Sequence, residues 1–305
     1  MRVSVVVCTH TTDRYEHLWA AVESVLANDY GDREVVVVSD GSEAVYERAR
    51  EEFGDRTDVR VHLQEPNRGL LAARNTGAEV ADGDVVAFID DDALADEAWL
   101  SELVAAYEAG WPAVGGRMIP EWVAGKPDLL PEEFYWLIGA THRGYADGPG
   151  EVRNTFGSNL SFRRDLFLEL GGFDAAIGGR QGDRNLQGGE TELCARLRAE
   201  HGAGVYYTPD AVVAHKIFDY RTDPEWLVRR AFWQGYSKRG METLVSESTG
   251  EERAFLGDLL TRFVPGRIAG LVRDPSRARA LQLVSLFVLT AAVGAGYLYG
   301  IVKWR

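Results

Sequence analysis

Apolar residues follow two different spacings along roughly the first 120 residues of the chain. Short apolar runs of the kind that forms buried strands lie at residues 3–8, 34–39, 59–63 and 85–89. Segments with the three- and four-residue spacing of amphipathic helices lie between and after them, at residues 15–26, 70–80 and 99–107. Strands that alternate with helices predict βαβ units, and therefore an α/β fold with a mostly parallel sheet and helices on both faces.

The second part of the chain has a different pattern. Prolines interrupt the aromatic-rich residues 120–152, which predicts either a pocket-lining or membrane-facing insertion or a small hydrophobic core under a long loop. Further apolar segments occur at 154–162, 165–170, 205–207 and 211–214. We therefore predict one large domain over residues 1–220, with halves at 1–119 and 120–220, and a helical linker over 221–280 that lies at a membrane interface or packs as short helices.

Residues 281–302 contain no charged side chain over 22 positions, about the length that crosses a bilayer as a helix. Four arginines precede this segment, at 267, 273, 277 and 279, whereas only Lys303 and Arg305 follow it. The positive-inside tendency then predicts a single-pass protein of the cell membrane whose large N-terminal domain is cytoplasmic. Gly296 and Gly300 have small-xxx-small spacing, so a homodimer through this helix is one further possibility.

The chain is strongly acidic, with 33 Lys and Arg against 47 Asp and Glu and a net charge of −14. Such a balance argues against general nucleic-acid binding, which needs clustered basic residues. An acidic, lysine-poor surface resembles that of proteins from salt-loving archaea. Cys8 and Cys194 are too few for a disulfide framework or a zinc site and are predicted to be core thiols.

Three consecutive acids, Asp90, Asp91 and Asp92, end the apolar run at residues 85–89. In an extended chain alternate side chains share a face, so Asp90 and Asp92 are predicted to point one way and Asp91 the other. Mg²⁺ and Mn²⁺ prefer hard oxygen ligands and are usually held by one or two carboxylates together with substrate phosphates. The pattern favours a metal-diphosphate site, with an acidic strand-to-helix loop as the alternative.

Other polar residues follow the predicted strands. Thr9 and Asp40 end the first and second strands, and Arg68 precedes the helix at 70–80. The ligand crevice of an open parallel sheet lies beyond the carboxyl ends of its strands, so these residues are expected on the same edge as Asp90. No Gly-x-Gly-x-x-Gly follows the first strand, which removes the usual dinucleotide fingerprint.

Two further positions leave alternatives open. Glu190 and Glu192 begin a helical pattern, where an acid either caps the helix or acts as a general base. His215 ends an apolar run, and it is either a structural histidine or a metal ligand near the three acids.

Seven short motifs occur in a fixed order and together resemble the family 2 inverting glycosyltransferases of the GT-A fold, over roughly residues 3–220. They lie at residues 3–9, 38–42, 67–75, 90–92, 157–159, 171–174 and 189–193. The resemblance implies that the nucleotide-sugar is bound by Thr9, Asp40, Arg68, Asp90 and Asp91. It implies a Mn²⁺ or Mg²⁺ ion on Asp92 and Asp90, to which the position of His215 adds a third candidate ligand.

The expected catalytic base is the one place where the chain departs from the family pattern. The family usually has Glu-Asp before this helix, with the Asp as base, whereas this chain has Glu190-Thr191-Glu192. Counting back from Leu193 puts Glu190 at the base position and leaves Glu192 as the second candidate. The extra methylene of a Glu moves its carboxylate by about an ångström, which matters where attack geometry is tight.

The resemblance also implies a function. The Gln-x-x-Arg-Trp motif of processive synthases is not seen, which favours the transfer of one sugar. The acidic composition is similar to that of haloarchaeal enzymes that build a glycan on dolichol phosphate for protein N-glycosylation. Several of those enzymes add hexuronic acids. The expected activity is transfer from a nucleoside-diphosphate sugar, first of all a UDP-sugar, to a polyprenyl-phosphate-linked saccharide. The alternatives are a synthase that uses the polyprenyl phosphate itself as acceptor, and an inactive membrane-tethered scaffold.

Overall fold

The valine-rich runs near the start of the chain form a parallel sheet, as predicted. In this computed structural model, which describes residues 1–181, 184–244 and 250–304, the order of the first four strands is β3-β2-β1-β4. Their bounds are β1 Val3–Thr9, β2 Arg33–Asp40, β3 Val59–Gln64 and β4 Val85–Asp90. Alternate residues of β1 enter different cores, since Val5 and Val7 pack on one face of the sheet and Val6 and Cys8 on the other.

Helices cover both faces of this sheet. The first four are α1 Tyr15–Leu26, α2 Glu43–Phe53, α3 Leu70–Val80 and α4 Trp99–Glu108. The sequence pattern did not predict α2, because it buries only Val45, Ala49 and Phe53 and is otherwise polar. One core contains apolar side chains of α1, α2 and α4, and the other contains those of α3.

The sheet continues beyond β4 with antiparallel strands, so it is mixed. The later elements are β5 Ala93–Ala95, β6 Ala113–Trp122, β7 Gly150–Val152, β8 Leu160–Arg163, α5 Arg164–Glu169, β9 Gly179–Gln181, β10 Arg184–Leu186, α6 Gly189–His201 and β11 Val205–Ile217. Within the described residues the large sheet has nine strands, in the order β3-β2-β1-β4-β8-β6-β11-β5, with β7 on β11. The two apolar segments predicted at 205–207 and 211–214 belong to the single strand β11, and the strand predicted at 154–162 begins only at Leu160, after a 3-10 turn at Gly157–Asn159.

The C-terminal part is helical. It contains α7 Pro224–Leu244, α8 Gly250–Asp258, a π-helical turn at Leu259–Phe263, α9 Val264–Arg273 and α10 Arg277–Lys303. The last helix is long and apolar enough to cross a membrane, which makes it a candidate membrane-spanning helix. The predicted α/β fold class with one such C-terminal helix is confirmed.

The chain forms two compact units. The first contains Met1–Ile119, Gly148–Gly178 and Gly189–His215, and the second contains Pro120–Asp147, Gly179–Gly188 and Lys216–Arg305. Each unit is therefore built from three separate segments of the chain, whereas the sequence pattern predicted consecutive regions at 1–220, 221–280 and 281–302. Part of the predicted linker, residues 245–249, lies outside the described residues.

The second unit has its own apolar core. Phe134, Leu137 and Ile138 come from the aromatic-rich segment and are buried beside Leu227 and Leu286. These side chains of the aromatic-rich segment therefore form a small hydrophobic core, which is one of the two alternatives predicted for it.

Candidate active site

The polar residues expected at the edge of the sheet lie there, all within the first unit. Thr9, Asp40 and Asp90 are the last residues of three adjacent strands, β1, β2 and β4. The chain order reverses between β4 and its neighbour β1, and the crevice at such a point is where open α/β sheets bind ligands.

Asp40 organises the loop that precedes α3. Its carboxylate is almost fully buried and accepts hydrogen bonds from the backbone N–H groups of Arg68 and Gly69, at 2.8 and 2.9 Å. A third hydrogen bond comes from Gln64 Nε2 at 2.6 Å. Asp40 therefore touches Arg68 through its backbone, and the Arg68 side chain is exposed at the edge of the crevice.

Arg74 of α3 links two of the predicted site residues. Its Nη2 lies 2.7 Å from Asp90 Oδ1, and its Nη1 lies 3.1 Å from Glu190 Oε1. Burial opposes the charge of this guanidinium, but the attraction of Asp90 and Glu190 outweighs burial and raises the pKa of Arg74. Because the Arg74 side chain is only 3% exposed, it is a fixed bridge between the two carboxylates.

Gly157 makes room for this bridge. A Cβ at Gly157 would lie 2.2 Å from Glu190 Oε1 and 2.4 Å from Arg74 Nη1. Next to it, Ser158 Oγ accepts a hydrogen bond from the Asp90 backbone N–H at 2.9 Å. The motif at 157–159 thus holds the backbone of Asp90 through Ser158 and leaves room for Glu190 and Arg74 at Gly157.

Glu190 and Glu192 have different environments although both lie in the first turn of α6. Glu192 is held by Arg196 of the next turn through two hydrogen bonds of 2.5 and 2.7 Å, and Arg196 also donates to the carbonyls of Leu170 and Gly172. The Glu190 side chain is 27% exposed and is held by Arg74. Of the two candidates for the base, Glu190 shares Arg74 with Asp90. Glu192 instead pairs with Arg196, which binds the turn that follows α5.

The three consecutive acids do not alternate in the way an extended chain requires. Arg14 Nη1 lies 3.4 Å from Asp91 Oδ1 and 3.5 Å from Asp92 Oδ2, whereas Asp90 faces Arg74. The expectation that Asp90 and Asp92 share a face is wrong because β4 ends at Asp90 and the next two residues form a turn.

Asp91 has a raised pKa. Burial raises the pKa of Asp91 to about 6, against the hydroxyl of Thr9 and the charge of Arg14, which lower it. The nearby carboxylate of Asp92 raises it further. A cation or a positively charged ligand group at this site would stabilise the ionised form of the Asp91 carboxylate.

Asp92 meets His215 on β11. The His215 Nε2 atom lies 3.4 Å from Asp92 Oδ1, and both side chains are at most 6% exposed. Strand β5 begins directly after the three acids, and its Ala93 pairs with His215 of β11. This pairing brings His215 next to Asp92, although the two residues are 123 positions apart in the sequence.

The donor groups suit a divalent cation that shares its coordination with a diphosphate. Among the described residues no three His, Cys, Asp or Glu side chains converge as a complete metal site. Asp92 and His215 converge as a pair, and Mg²⁺ or Mn²⁺ in nucleotide sites commonly needs only one or two protein ligands. Asp90, the other predicted ligand, has Arg74 Nη2 2.7 Å from its Oδ1 atom.

Sequence reasoning assigned no role to Arg14, Arg74 or Ser158. Arg74 lies inside one of the seven motifs, and an arginine on a helix face that must be buried is a signal for a buried carboxylate partner. Nothing in the local sequence around Arg14 indicates that it reaches Asp91 and Asp92.

Comparison with known protein families identifies the family of this chain. Residues 4–171 match the family described as Glycosyl transferase family 2, more than half of the chain. The chain belongs to this family. The predicted resemblance is thereby confirmed, and the crevice described above lies in the matched region apart from Glu190, Glu192 and His215.

Relatives of this family 2 glycosyltransferase extend the match. The chain is 50% identical over 303 residues to the glucosyl-dolichyl phosphate glucuronosyltransferase of Haloferax volcanii, covering 99% of this chain and 96% of that protein. It is 30% identical over 206 residues to the pre-mycofactocin glycosyltransferase of Mycobacterium tuberculosis, covering 66% of this chain and 41% of that protein.

Solved structures show the same fold at low sequence identity. A mannosyltransferase from Pyrobaculum calidifontis, in complex with GDP-Man and Mn²⁺, has a TM-score of 0.62 at 18% identity and covers 100% of this chain and 88% of its own. GalNAc-T7 with UDP, GalNAc and Mn²⁺ has a TM-score of 0.56 at 18% identity, over 85% of this chain and 54% of its own. The expected GT-A type of fold is confirmed, and these two structures contain Mn²⁺ together with GDP-Man or with UDP and GalNAc.

Proposed function

We propose that this family 2 enzyme transfers one glucuronosyl residue from UDP-glucuronic acid to a glucosyl-dolichyl phosphate, as a step in building a lipid-linked glycan for protein N-glycosylation. The observation that carries the proposal is the 50% identity over nearly the whole length of both chains to a glucosyl-dolichyl phosphate glucuronosyltransferase. An acidic composition and a candidate membrane helix suit a lipid-linked acceptor in a haloarchaeal cell.

We assign the steps of the proposed inverting transfer to residues of this crevice. An acceptor hydroxyl loses its proton to Glu190 while its oxygen bonds to the anomeric carbon, and the bond from that carbon to the diphosphate breaks. Arg74 keeps the Glu190 carboxylate in place, at 3.1 Å. Thr9, Asp40 and the Arg68 loop line the side of the crevice proposed for the nucleoside.

Asp92 and His215 are the residues that would hold a divalent cation, with Asp90 and Asp91 completing the acidic edge of the crevice. Such a cation, Mn²⁺ or Mg²⁺, would neutralise charge on the departing nucleoside diphosphate. Arg14 lies beside Asp91 and Asp92 and would balance the acids before the donor arrives.

We place the protein at the cell membrane with its catalytic unit on the cytoplasmic side. A donor nucleotide-sugar is made in the cytoplasm, and the proposed acceptor is a lipid. A catalytic unit on the cytoplasmic side of the membrane would therefore reach both substrates.

The test is a transfer assay with the full-length protein in membranes, UDP-glucuronic acid, Mn²⁺ and glucosyl-dolichyl phosphate, read by mass spectrometry of the lipid. We expect a product heavier by one hexuronic acid, and no product from Asp92→Asn. Transfer to dolichyl phosphate alone, undiminished in Glu190→Gln, would establish the lipid phosphate as acceptor instead. If no lipid is modified and UDP with Mn²⁺ does not raise the unfolding temperature, the chain is an inactive scaffold.

A further inference from the structure

Helices α7 and α10 form a parallel pair within the second unit. Phe232 faces Gly296, Tyr236 faces Gly300, and Gly240 faces Trp304. The residue numbers increase in the same direction along both helices in these contacts. A residue of α7 therefore lies at the same height as the residue of α10 that is 64 positions later in the chain.

Glycines bring the two backbones into direct contact. A Cβ at Gly296 would lie 1.8 Å from the Phe232 carbonyl oxygen, and a Cβ at Gly235 would lie 1.9 Å from the Val293 carbonyl oxygen. Gly296 and Gly300, which the sequence offered as contacts for a second copy, therefore face α7 of the same chain. The predicted homodimer gains no support from this face.

Charged residues of α7 lie level with the middle of the uncharged segment 281–302. Arg229 and Arg230 precede Phe232 by less than one turn, which places them level with Val293 and Gly294. If α10 crossed the bilayer, these guanidiniums would lie near its midplane, about 15 Å from either edge of the hydrocarbon and beyond the reach of an arginine side chain. Asp223 and Glu225 would lie within the hydrocarbon as well.

The opposite side of α10 presents an apolar stripe to the surroundings. Val284, Val288, Ala291, Ala295, Leu298 and Val302 recur at spacings of three and four and are exposed. Val284, Leu298 and Val302 are each about 60% exposed, at 59, 65 and 60%. Buried Leu286 and Leu289 occupy the other side of the helix, against the core of the second unit.

We propose that α10 lies in the plane of the membrane, with this stripe in the acyl boundary and α7 on its polar side, and does not cross the bilayer. An interfacial element needs an apolar face beside a charged one, and in this helix pair α10 supplies the apolar face and α7 supplies the charges. The charges of α7 then stay at the level of the headgroups, where Arg229 is exposed to water and anionic lipid. The proposal concerns attachment and stands apart from the proposed reaction.

Two cysteine variants of the full chain test the arrangement in sealed membrane vesicles with a membrane-impermeant maleimide. Lys303→Cys reports the end of α10, and Asp55→Cys reports an exposed position of the first unit. Cys8 and Cys194 are buried, and burial raises the pKa of both thiols, so the wild-type chain gives the low background.

In an in-plane arrangement both variants label from the same side of the vesicles, before detergent is added. Labelling of the two positions from opposite sides would show that α10 crosses the membrane and would overturn the proposal. Recovery of the chain in the soluble fraction as an oligomer would overturn it too, because the stripe would then be covered by another copy. Neither readout depends on transferase activity.

Discussion

Arg74 sets the arrangement of the two acids that matter most for the proposed chemistry. It is buried between Phe88 and Phe173, with its guanidinium carbon 5.9 and 5.7 Å from their ring centroids. From this buried position its two amino groups reach Asp90 and Glu190, at 2.7 and 3.1 Å. A base held by a buried arginine is positioned before the acceptor binds.

The different partners of Glu190 and Glu192 predict different effects of the same substitution. Glu190→Gln removes the proposed base, and we expect kcat to fall by about 10²-fold or more, with the affinity for UDP and Mn²⁺ unchanged. Glu192→Gln, the matched control, weakens its pairing with Arg196, so activity persists while the free energy of unfolding falls by about 1 kcal/mol. Steady-state kinetics and denaturant unfolding separate the two, and an active Glu190→Gln enzyme would remove Glu190 from the mechanism.

Gly157 offers a test of the bridge between Arg74 and Glu190 that removes no charged group. In Gly157→Ala the new methyl displaces Glu190 and Arg74, and since displacements near an ångström cost up to about 10²-fold, we expect kcat to fall at least about tenfold. Gly148→Ala is the control, because no atom lies within 4 Å of its Cβ. Equal activity of the two variants would mean that the bridge tolerates displacement.

His142 predicts a dependence of stability on pH. Burial, and then the charge of Lys238, lower the pKa of His142 to about 4. The unfolded chain therefore binds a proton between about pH 6.5 and 4 that the folded chain does not, and the free energy of unfolding falls as the pH decreases through this window, by up to about 3 kcal/mol.

We expect His142→Gln to flatten this part of the pH profile, measured by denaturant unfolding at constant salt. His201→Gln is a control, since it replaces a histidine that is exposed at the end of α6. An unchanged slope in His142→Gln would assign the acid sensitivity to other groups.

At the scale of elements, the chain was predicted best where an element carries its own periodic pattern. Strands β1 to β4 and helices α1, α3 and α4 were predicted within one or two residues of their ends. Helix α2 was missed because one short apolar edge against β3 suffices to hold it. The length of β11 was not apparent either, since Pro209 and Asp210 interrupt the apolar pattern while the sheet keeps the chain extended.

The contact between α7 and α10 predicts opposite effects for two neighbouring glycines. Gly296→Ala forces the backbones apart, and we expect the free energy of unfolding in detergent to fall by about 1–3 kcal/mol. In Gly294→Ala the methyl enters open space, and the better helix propensity raises stability by up to about 1 kcal/mol. Thermal unfolding measures both, and equal effects would mean that the helices are not in contact.

The whole molecule carries 14 more negative than positive charges, which repel one another in dilute salt. Salt shortens the Debye length from about 10 Å at 0.1 M to about 3 Å at 1 M. We therefore expect the unfolding temperature to rise by several degrees between 0.1 and 1 M KCl. NaCl should act alike, since screening does not depend on the cation, and a fall in both salts would show that specific ion pairs outweigh the repulsion.

The sequence by itself determined the fold class, the family and the edge of the sheet that carries the site. Each of these follows from local patterns: valine runs that must be buried, acids that end them, and motifs in a fixed order. Only the tertiary structure decided that Asp90 faces Arg74, that Arg14 reaches Asp91 and Asp92, and that Glu192 is bound to Arg196. These pairings join segments distant in sequence or compete within one helical turn, so their outcome depends on packing. The same holds for α10, whose composition indicates a membrane span but whose polar neighbour α7 becomes visible only when the chain is folded.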